Sequence, residues 1–121
     1  EGQMWEAAMS ASHLGLSNVT LVVDRNGVQS DDITERVKKK EPLDAKWRSF
    51  GWQVLEIDGH NFMQIHHSFD VAEWTTDRPT VIIARTVKGK GISFLEGDAN
   101  SHNASFSEED LDWALEDLRY S

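Results

Sequence analysis

Residues 19–27 read VTLVVDRNG, and this segment indicates the fold class more directly than any other part of the chain. Its first five residues form an apolar, largely β-branched run, which is typical of a buried strand in a parallel sheet. The polar residues Asp24-Arg25-Asn26-Gly27 end that run and predict a turn directly after the strand. A parallel strand needs helices to cover its sheet, so helical patterns are expected on both sides of it along the chain.

Helical patterns do alternate with two further strand-like runs. The predicted helices and strands, in chain order, are a helix at 4–14, the strand at 19–23, a helix at 42–50, a strand at 53–57, a helix at 62–74, a strand at 80–84 and a helix at 107–118. Ser107 and Asp110 predict a capping box at the start of the last helix. This alternation indicates βαβ units, and we predict an α/β fold in which a parallel sheet has helices on both faces.

The composition is that of a single folded domain. The chain has 121 residues, of which 39% are hydrophobic and 27% are charged, and its longest apolar run is far too short to predict a membrane span. The absence of cysteine excludes a disulfide framework and fits a reducing compartment, so a cytoplasmic location is expected. The net charge of −9 argues against a non-specific interaction with nucleic acid or with an anionic membrane.

Two observations lead us to expect an incomplete domain. The chain opens inside a helical pattern and without an initiator methionine, which predicts a fragment, a processed piece or one part of a larger enzyme. About three strands are present, which is few for a doubly wound sheet, so the missing strands are expected upstream of Glu1.

Two segments at predicted strand ends carry candidate ligand-binding chemistry, because ligands of open α/β sheets bind beyond the carboxyl ends of the strands. The amide oxygen of Asn26 and the carbonyls beside it are hard ligands that suit Mg²⁺ or Ca²⁺. An Asn-Gly pair after a strand is more often only a turn, so this pattern leaves both interpretations open. Lys88 lies in TVKGKG at 86–91, where glycines allow a close approach to a phosphate, although the spacing is not that of a Walker loop and a flexible, solvated loop is the commoner interpretation.

Taken together, the segments resemble the diphosphate-binding domain of transketolases, which are thiamine-diphosphate enzymes. The resemblance is carried, in order, by EGQMWEAA at 1–8, DRNG at 24–27, EPL at 41–43, KW at 46–47, FGW at 50–52, DGH at 58–60, PTVI at 79–82 and TVKGKG at 86–91. It extends from residue 1 to about residue 102. It implies that residues 1–121 are the C-terminal portion of a transketolase-like diphosphate-binding domain, with an incomplete thiamine-diphosphate-binding fold.

The resemblance also implies roles for particular residues. Asn26, through its side chain, and Val28, through its backbone carbonyl, match positions that ligate the divalent metal, and Asn26 would also contact the diphosphate. Lys88 and His102 match positions beside the diphosphate and the reacting centre. His102 would donate to an anionic oxygen or move a proton.

At the start of the chain, Glu1 matches a glutamate near the subunit interface that is linked to the cofactor chemistry of the partner subunit. Gly2 falls in the same segment and is implied as a cofactor-binding position. Because the cofactor sites of the family form between two subunits, a homodimer or a complementary transketolase subunit is implied.

The implied reaction is transfer of a two-carbon ketol unit from a ketose phosphate to an aldose phosphate, with thiamine diphosphate and Mg²⁺ or Ca²⁺ as cofactors. One alternative is another thiamine-diphosphate enzyme, such as a 2-oxo-acid dehydrogenase component or a deoxyxylulose-phosphate synthase. The other alternative is a non-catalytic fragment that only binds a partner.

Overall fold

A computed structural model describes residues 1–30, 32–103 and 105–119 of the chain. Five helices, five strands and one 3-10 helix are defined in this part. In chain order they are α1 (Gly2–His13), β1 (Thr20–Arg25), β2 (Val28–Gln29), β3 (Asp32–Ile33), α2 (Thr34–Val37), α3 (Leu43–Ser49), β4 (Gln53–Asp58), α4 (Phe62–Trp74), β5 (Thr80–Arg85), the 3-10 helix (Ala99–Asn103) and α5 (Glu108–Asp117).

The three longer strands form a parallel sheet in the order β1-β5-β4, which confirms the predicted parallel sheet. The strand that comes last in the chain lies at the centre, and all its residues except Arg85 are buried. Arg85 pairs in register with Arg25 of β1 and with Asp58 of β4. The three strands therefore end level, at the edge of the sheet where ligands of this fold class bind.

The chain forms two compact units, and the sheet belongs to the first, which contains Glu1–Arg25 and Glu41–Arg85. One face of the sheet is covered by α1 and α3. The buried side chains of this core are Ala8, Ala11, Leu43, Trp47, Trp52, Val54, Val81 and Ile83. The indole N–H of Trp52 donates to the carbonyl of Ala8 at 2.9 Å, which ties the start of β4 to α1.

The opposite face carries α4, so helices cover both faces as predicted. Side chains alternate between the two faces of a strand, so Ile82 points away from the core that contains Val81 and Ile83. On this second face, α4 packs against β4, and Ser68 of α4 lines a cavity together with Leu55. The Asn61 side chain begins α4 by accepting the backbone N–H of the third helical residue, at 3.1 Å.

The second unit contains Asn26–Lys40 and the segment from Thr86 onward. β2 and β3 form a two-stranded antiparallel hairpin in it, followed by the single turn of α2. Phe94 packs on Phe106 and on Trp113 of α5, with ring centroids 6.2 and 5.1 Å apart. The capping box predicted at Ser107 and Asp110 is present and begins α5.

Two details differ from the sequence-based expectations. β1 lies at an edge of the sheet and is only half buried, and Val22 is 50% exposed, although its apolar run predicted a buried strand. Pro42 lies at the N-cap of α3, one residue before the helix that it was expected to begin. In the part of the chain that the structure describes, no helix has both the length and the apolar character needed to cross a lipid bilayer.

An ion pair joins the end of β1 to the start of α3. The Arg25 guanidinium donates to one carboxylate oxygen of Glu41 through Nε at 3.1 Å and Nη2 at 2.9 Å. The other carboxylate oxygen accepts the backbone N–H of Leu43, also at 2.9 Å. The Leu43 N–H and the Arg25 guanidinium hold the pKa of Glu41 below its ordinary value of 4.5.

Replacing Glu41 with glutamine is therefore expected to lower the free energy of unfolding at pH 7 by about 1 kcal/mol. A lowered folded-state pKa stabilises the fold above the unfolded-state pKa, and this stabilisation is lost as the pH falls through the folded-state value. The difference between wild type and Glu41→Gln should accordingly be full at pH 7 and should shrink as the pH falls below 4.5, as measured by urea unfolding. Glu73→Gln, on the exposed side of α4, is the control. A difference that does not depend on pH would contradict the assignment.

Candidate functional site

The candidate metal turn follows β1 directly. The Oδ1 atom of Asn26 accepts the backbone N–H of Val28 at 3.0 Å, so the side chain closes the turn over its own backbone. Gly27, between them, has a φ of +78°, a left-handed conformation that favours glycine. Asn26 and Val28 are both half-buried. The Asn-Gly pair is thus a turn that the Asn26 amide oxygen closes.

The hairpin directs the carbonyl of Val28 toward the same side as that amide oxygen. The N–H of Thr34 donates to the carbonyl of Gly27 at 2.8 Å, and Val28 pairs with Ile33. Hydrogen-bonded and non-hydrogen-bonded pairs alternate in an antiparallel ladder, so both backbone groups of Val28 point away from β3. The N–H of Val28 donates to Asn26 on the side away from β3, and the carbonyl of Val28 points to this side as well.

These two hard oxygens are of the type that Mg²⁺ or Ca²⁺ prefers, so by their chemistry they would fit part of a site for such a cation. No group of three or more His, Cys, Asp or Glu side chains that could hold a metal occurs within residues 1–30, 32–103 and 105–119.

Lys88 lies in a loop whose ends are joined by a backbone hydrogen bond, and the flexibility expected from its glycines stays a prediction. The loop is closed where the N–H of Gly97 donates to the Lys88 carbonyl at 2.8 Å. Gly89 has a φ of +72°, and a Cβ at this position would lie 2.6 Å from the carbonyl oxygen of Leu95, so only glycine fits. This close contact of backbone with backbone fixes the path of the chain on either side of Lys88.

The two lysines of this loop differ in their charge partners. Lys90 pairs with the carboxylate of Glu96 at 3.1 Å, and the same carboxylate oxygen accepts the N–H of Gly91 at 3.0 Å. Lys88 is half-buried and makes no ion pair with any residue that the structure describes. Lys88 is therefore the lysine of this loop whose charge is available to an anion.

His102 is exposed in the last turn of the 3-10 helix Ala99–Asn103. Asp98 begins this helix: its carboxylate accepts the N–H of Asn100 at 2.9 Å, and its carbonyl accepts the hydroxyl of Ser101 at 2.8 Å. The 3-10 helix contacts β3, the strand that pairs with β2 and Val28. His102 is thus carried by an element that packs on the hairpin of the candidate metal turn.

Glu1 and Gly2 belong to the first unit and begin α1. The carboxylate of Glu1 does not cap the helix; it accepts a hydrogen bond from the side chain of Gln3. Gly2 is exposed, and a Cβ there would meet no atom within 4 Å, so the fold of this chain does not itself require glycine. Their roles stay predictions, as do those of Asn26, Val28, Lys88 and His102.

Three residues that position the site were not identified from the sequence. Thr34 is buried and anchors the hairpin through its N–H, Glu96 accepts the N–H of Gly91 in the loop that carries Lys88, and Asp98 begins the 3-10 helix. Only Asp98 has a local signal, because an acceptor side chain two residues before a backbone N–H is the pattern of an Asx turn. The other two act through contacts that no spacing rule encodes.

Comparison with known proteins identifies the family. The family model described as "Transketolase, thiamine diphosphate binding domain" matches residues 1–121. The chain is similar to the 6-deoxy-6-sulfo-D-fructose transketolase subunit SqwG of Clostridium sp. (strain MSTE9), with 44% identity over 109 residues that cover 90% of this chain and 40% of the relative. It is also similar to an apulose-4-phosphate transketolase subunit from Phocaeicola vulgatus, with 35% identity over 98% of this chain and 42% of the relative.

Solved structures agree with the sequence relatives. The transketolase of Campylobacter jejuni superposes on 98% of this chain with a TM-score of 0.90 and 31% identity. Transketolase from Leishmania mexicana gives a TM-score of 0.89 with 26% identity. The chain spans about two fifths of those curated relatives and 18% of each of these two solved chains. From the match over its full length and the shared fold, the chain belongs to the transketolase family, and it represents the thiamine diphosphate binding domain of that family.

Proposed function

We propose that this chain forms part of the active site of a transketolase-type enzyme, which transfers a two-carbon ketol unit from a ketose phosphate to an aldose phosphate. The observation that carries the proposal is the turn after β1, where the amide oxygen of Asn26 and the carbonyl of Val28 face the same side. Two hard oxygens at the carboxyl edge of a parallel sheet suit a divalent cation that binds a diphosphate. The match to a thiamine diphosphate binding domain supports that ligand.

In this proposal the residues of the chain bind and orient the cofactor. Asn26 and Val28 would contribute two ligands to Mg²⁺ or Ca²⁺, and the Lys88 ammonium would neutralise an anionic oxygen. His102 would donate to a developing oxyanion or move a proton, which are common roles of histidine side chains in catalysis. When bound, thiamine diphosphate supplies the nucleophilic carbon and the electron sink for cleavage of a carbon–carbon bond.

A second chain completes the site in this proposal. The similar Clostridium and Phocaeicola proteins are both named as transketolase subunits. This favours assembly with a complementary subunit, and a homodimer is the other arrangement compatible with a site between two chains. Glu1 and Gly2, exposed at the start of α1, would then face the partner or the cofactor.

Calorimetric titration with thiamine diphosphate in the presence and absence of Mg²⁺ tests the proposal, with the chain alone and with its complementary subunit. Metal-dependent binding is expected in the assembly. A donor–acceptor assay that compares a pentulose phosphate with a 2-oxo acid then separates ketol transfer from the other thiamine-diphosphate reactions. Absence of cofactor binding under both conditions would leave only the role of a non-catalytic partner.

Replacing His102 with alanine is expected to lower kcat by about 100-fold, which is a typical contribution of a general acid or base. His67→Ala, on α4 in the first unit, removes an equally exposed imidazole and serves as the control. The measurement is steady-state turnover of the assembled enzyme with a ketose phosphate donor. Full activity of His102→Ala would remove this residue from the site.

A further inference from the structure

Hydrogen bonds join the helix α5 to the loop that carries Lys88. Both the N–H and the hydroxyl of Ser93 donate to the same carboxylate oxygen of Asp117, each at 2.7 Å. Asp117 is the last residue of α5 and is half-buried. Two strong hydrogen bonds thus converge on one charged acceptor, at a separation of 24 residues along the chain.

Two apolar contacts lie beside this pair. The ring of Phe94, next to Ser93, packs on Trp113 one turn earlier in α5, with centroids 5.1 Å apart. A Cβ on Gly91 would lie 3.2 Å from Cδ2 of Leu118, so the end of α5 sits closely over the glycine. The loop is therefore contacted by α5 and the residue after it at three places, three to six residues after Lys88.

Neither helix propensity nor the helix dipole explains why an aspartate occupies the last position of α5. Aspartate is a weak helix former, and a carboxylate in the last turn faces the negative end of the helix dipole. Its contact with Ser93 supplies a reason: the Ser93 hydroxyl, and then the Ser93 N–H, hold the pKa of Asp117 below its usual range. The carboxylate is therefore ionised near neutral pH and remains a strong acceptor.

We infer that Asp117 and Ser93 are positioning residues that hold the Lys88 loop in the conformation that binds the anionic ligand. The inference rests on the proposed function and deepens it, because it adds to the candidate site a helix that carries none of its proposed residues. The chain of contacts runs from Asp117 to Ser93, then along the loop to Gly97, whose N–H fixes the Lys88 carbonyl at 2.8 Å. Loss of the contact between Asp117 and Ser93 makes the loop more mobile, so the Lys88 side chain is no longer held in one direction.

The test measures hydrogen–deuterium exchange of the peptide covering 86–98 and the affinity for thiamine diphosphate with Mg²⁺, in the full chain with its complementary subunit. Asp117→Ala should speed exchange in this peptide by about tenfold, as expected for loss of hydrogen bonds to a charged group. It should weaken cofactor binding by a similar factor. Alanine favours the helix more than aspartate does, so fraying of α5 would not explain this result.

Three further variants make the test specific. Glu116→Ala removes a neighbouring exposed charge from the same turn and should behave as wild type. Ser93→Ala removes one of the two hydrogen bonds and should have a smaller effect than Asp117→Ala. Asp117→Asn keeps an acceptor and should restore most of the protection and the affinity.

Unchanged exchange in Asp117→Ala would overturn the inference, and so would faster exchange with unchanged cofactor affinity. If the wild-type assembly does not bind thiamine diphosphate, the proposed function fails, and the role of the loop in binding falls with it. The exchange measurement needs no cofactor, so it separates that failure from a failure of the contact itself.

Discussion

Replacement of Asn26 with alanine is expected to weaken Mg²⁺ binding in the presence of thiamine diphosphate by about 100-fold or more, because even outer-sphere partners of metal ligands contribute 10- to 100-fold. The substitution removes the amide oxygen and with it the acceptor of the Val28 N–H, which is 3.0 Å away in the folded chain. The metal would then lose the Asn26 oxygen as a ligand. Val28 would lose the hydrogen bond that orients its backbone, so its carbonyl would be a weaker ligand as well. The measurement is calorimetric titration of the assembled enzyme at several Mg²⁺ concentrations.

Two matched variants separate metal binding from folding. Asn26→Asp keeps an oxygen acceptor for the Val28 N–H and adds a negative charge, so the Mg²⁺ affinity should be retained. Asn18→Ala changes an exposed asparagine just before β1 and should have no effect. If Asn26→Ala binds the cofactor with the Mg²⁺ dependence of wild type, Asn26 only closes the turn after β1, and the proposed metal site is wrong.

Replacement of Trp47 with alanine is expected to lower the free energy of unfolding by about 3–5 kcal/mol, as is typical of large-to-small substitutions of buried aromatic residues. Trp47 is 3% exposed, and its ring lies 5.3 Å from that of Trp5 and 5.1 Å from that of Trp52. These contacts join α1, α3 and the start of β4, so the cavity would open where three segments of the first unit meet. The indole N–H has no hydrogen-bond partner in the part of the chain that the structure describes, so the expected loss is one of packing.

Trp74 provides a control of the same residue type. It is 72% exposed at the end of α4, and Trp74→Ala should change the free energy of unfolding by less than about 0.5 kcal/mol in the isolated chain. Both variants can be compared by urea unfolding with circular dichroism as the probe. Equal effects of the two substitutions would show that the core around Trp47 does not stabilise the chain.

The sheet could be predicted because its signals are local. The apolar runs at 19–23, 53–57 and 80–84 are each followed by polar turn residues, and helical spacing separates the three runs. The exposure of β1 could not be predicted, since a run of β-branched residues has the same pattern in a central strand as in an edge strand. Which strand lies in the middle depends on pairing between distant segments. Only the register of β5 with both neighbours shows that the last run is the central one.

For the candidate site, whose residue roles stay predictions, the sequence indicates only residue types. Asn26 and Lys88 were identifiable from their place after strands, but the β2–β3 hairpin was not, because two-residue strands are too short to show a period. The glycine loop was expected to be flexible because glycine permits many conformations. In the structure the left-handed conformation of Gly89 allows its backbone to approach the Leu95 carbonyl closely. This contact depends on a residue further along the chain, so the glycines alone do not predict it.

The ion pair between Arg25 and Glu41 has a consequence for how this part of the chain can vary. The two residues lie at the points where the segment 26–40 leaves and re-enters the first unit, so the ends of that segment are held together independently of its length. The entropic cost of closing a loop grows only by about 0.6 kcal/mol for each doubling of its length. Insertions near the exposed Ser30 should therefore be tolerated by the sheet, and natural or engineered variants can lengthen this hairpin without changing the first unit.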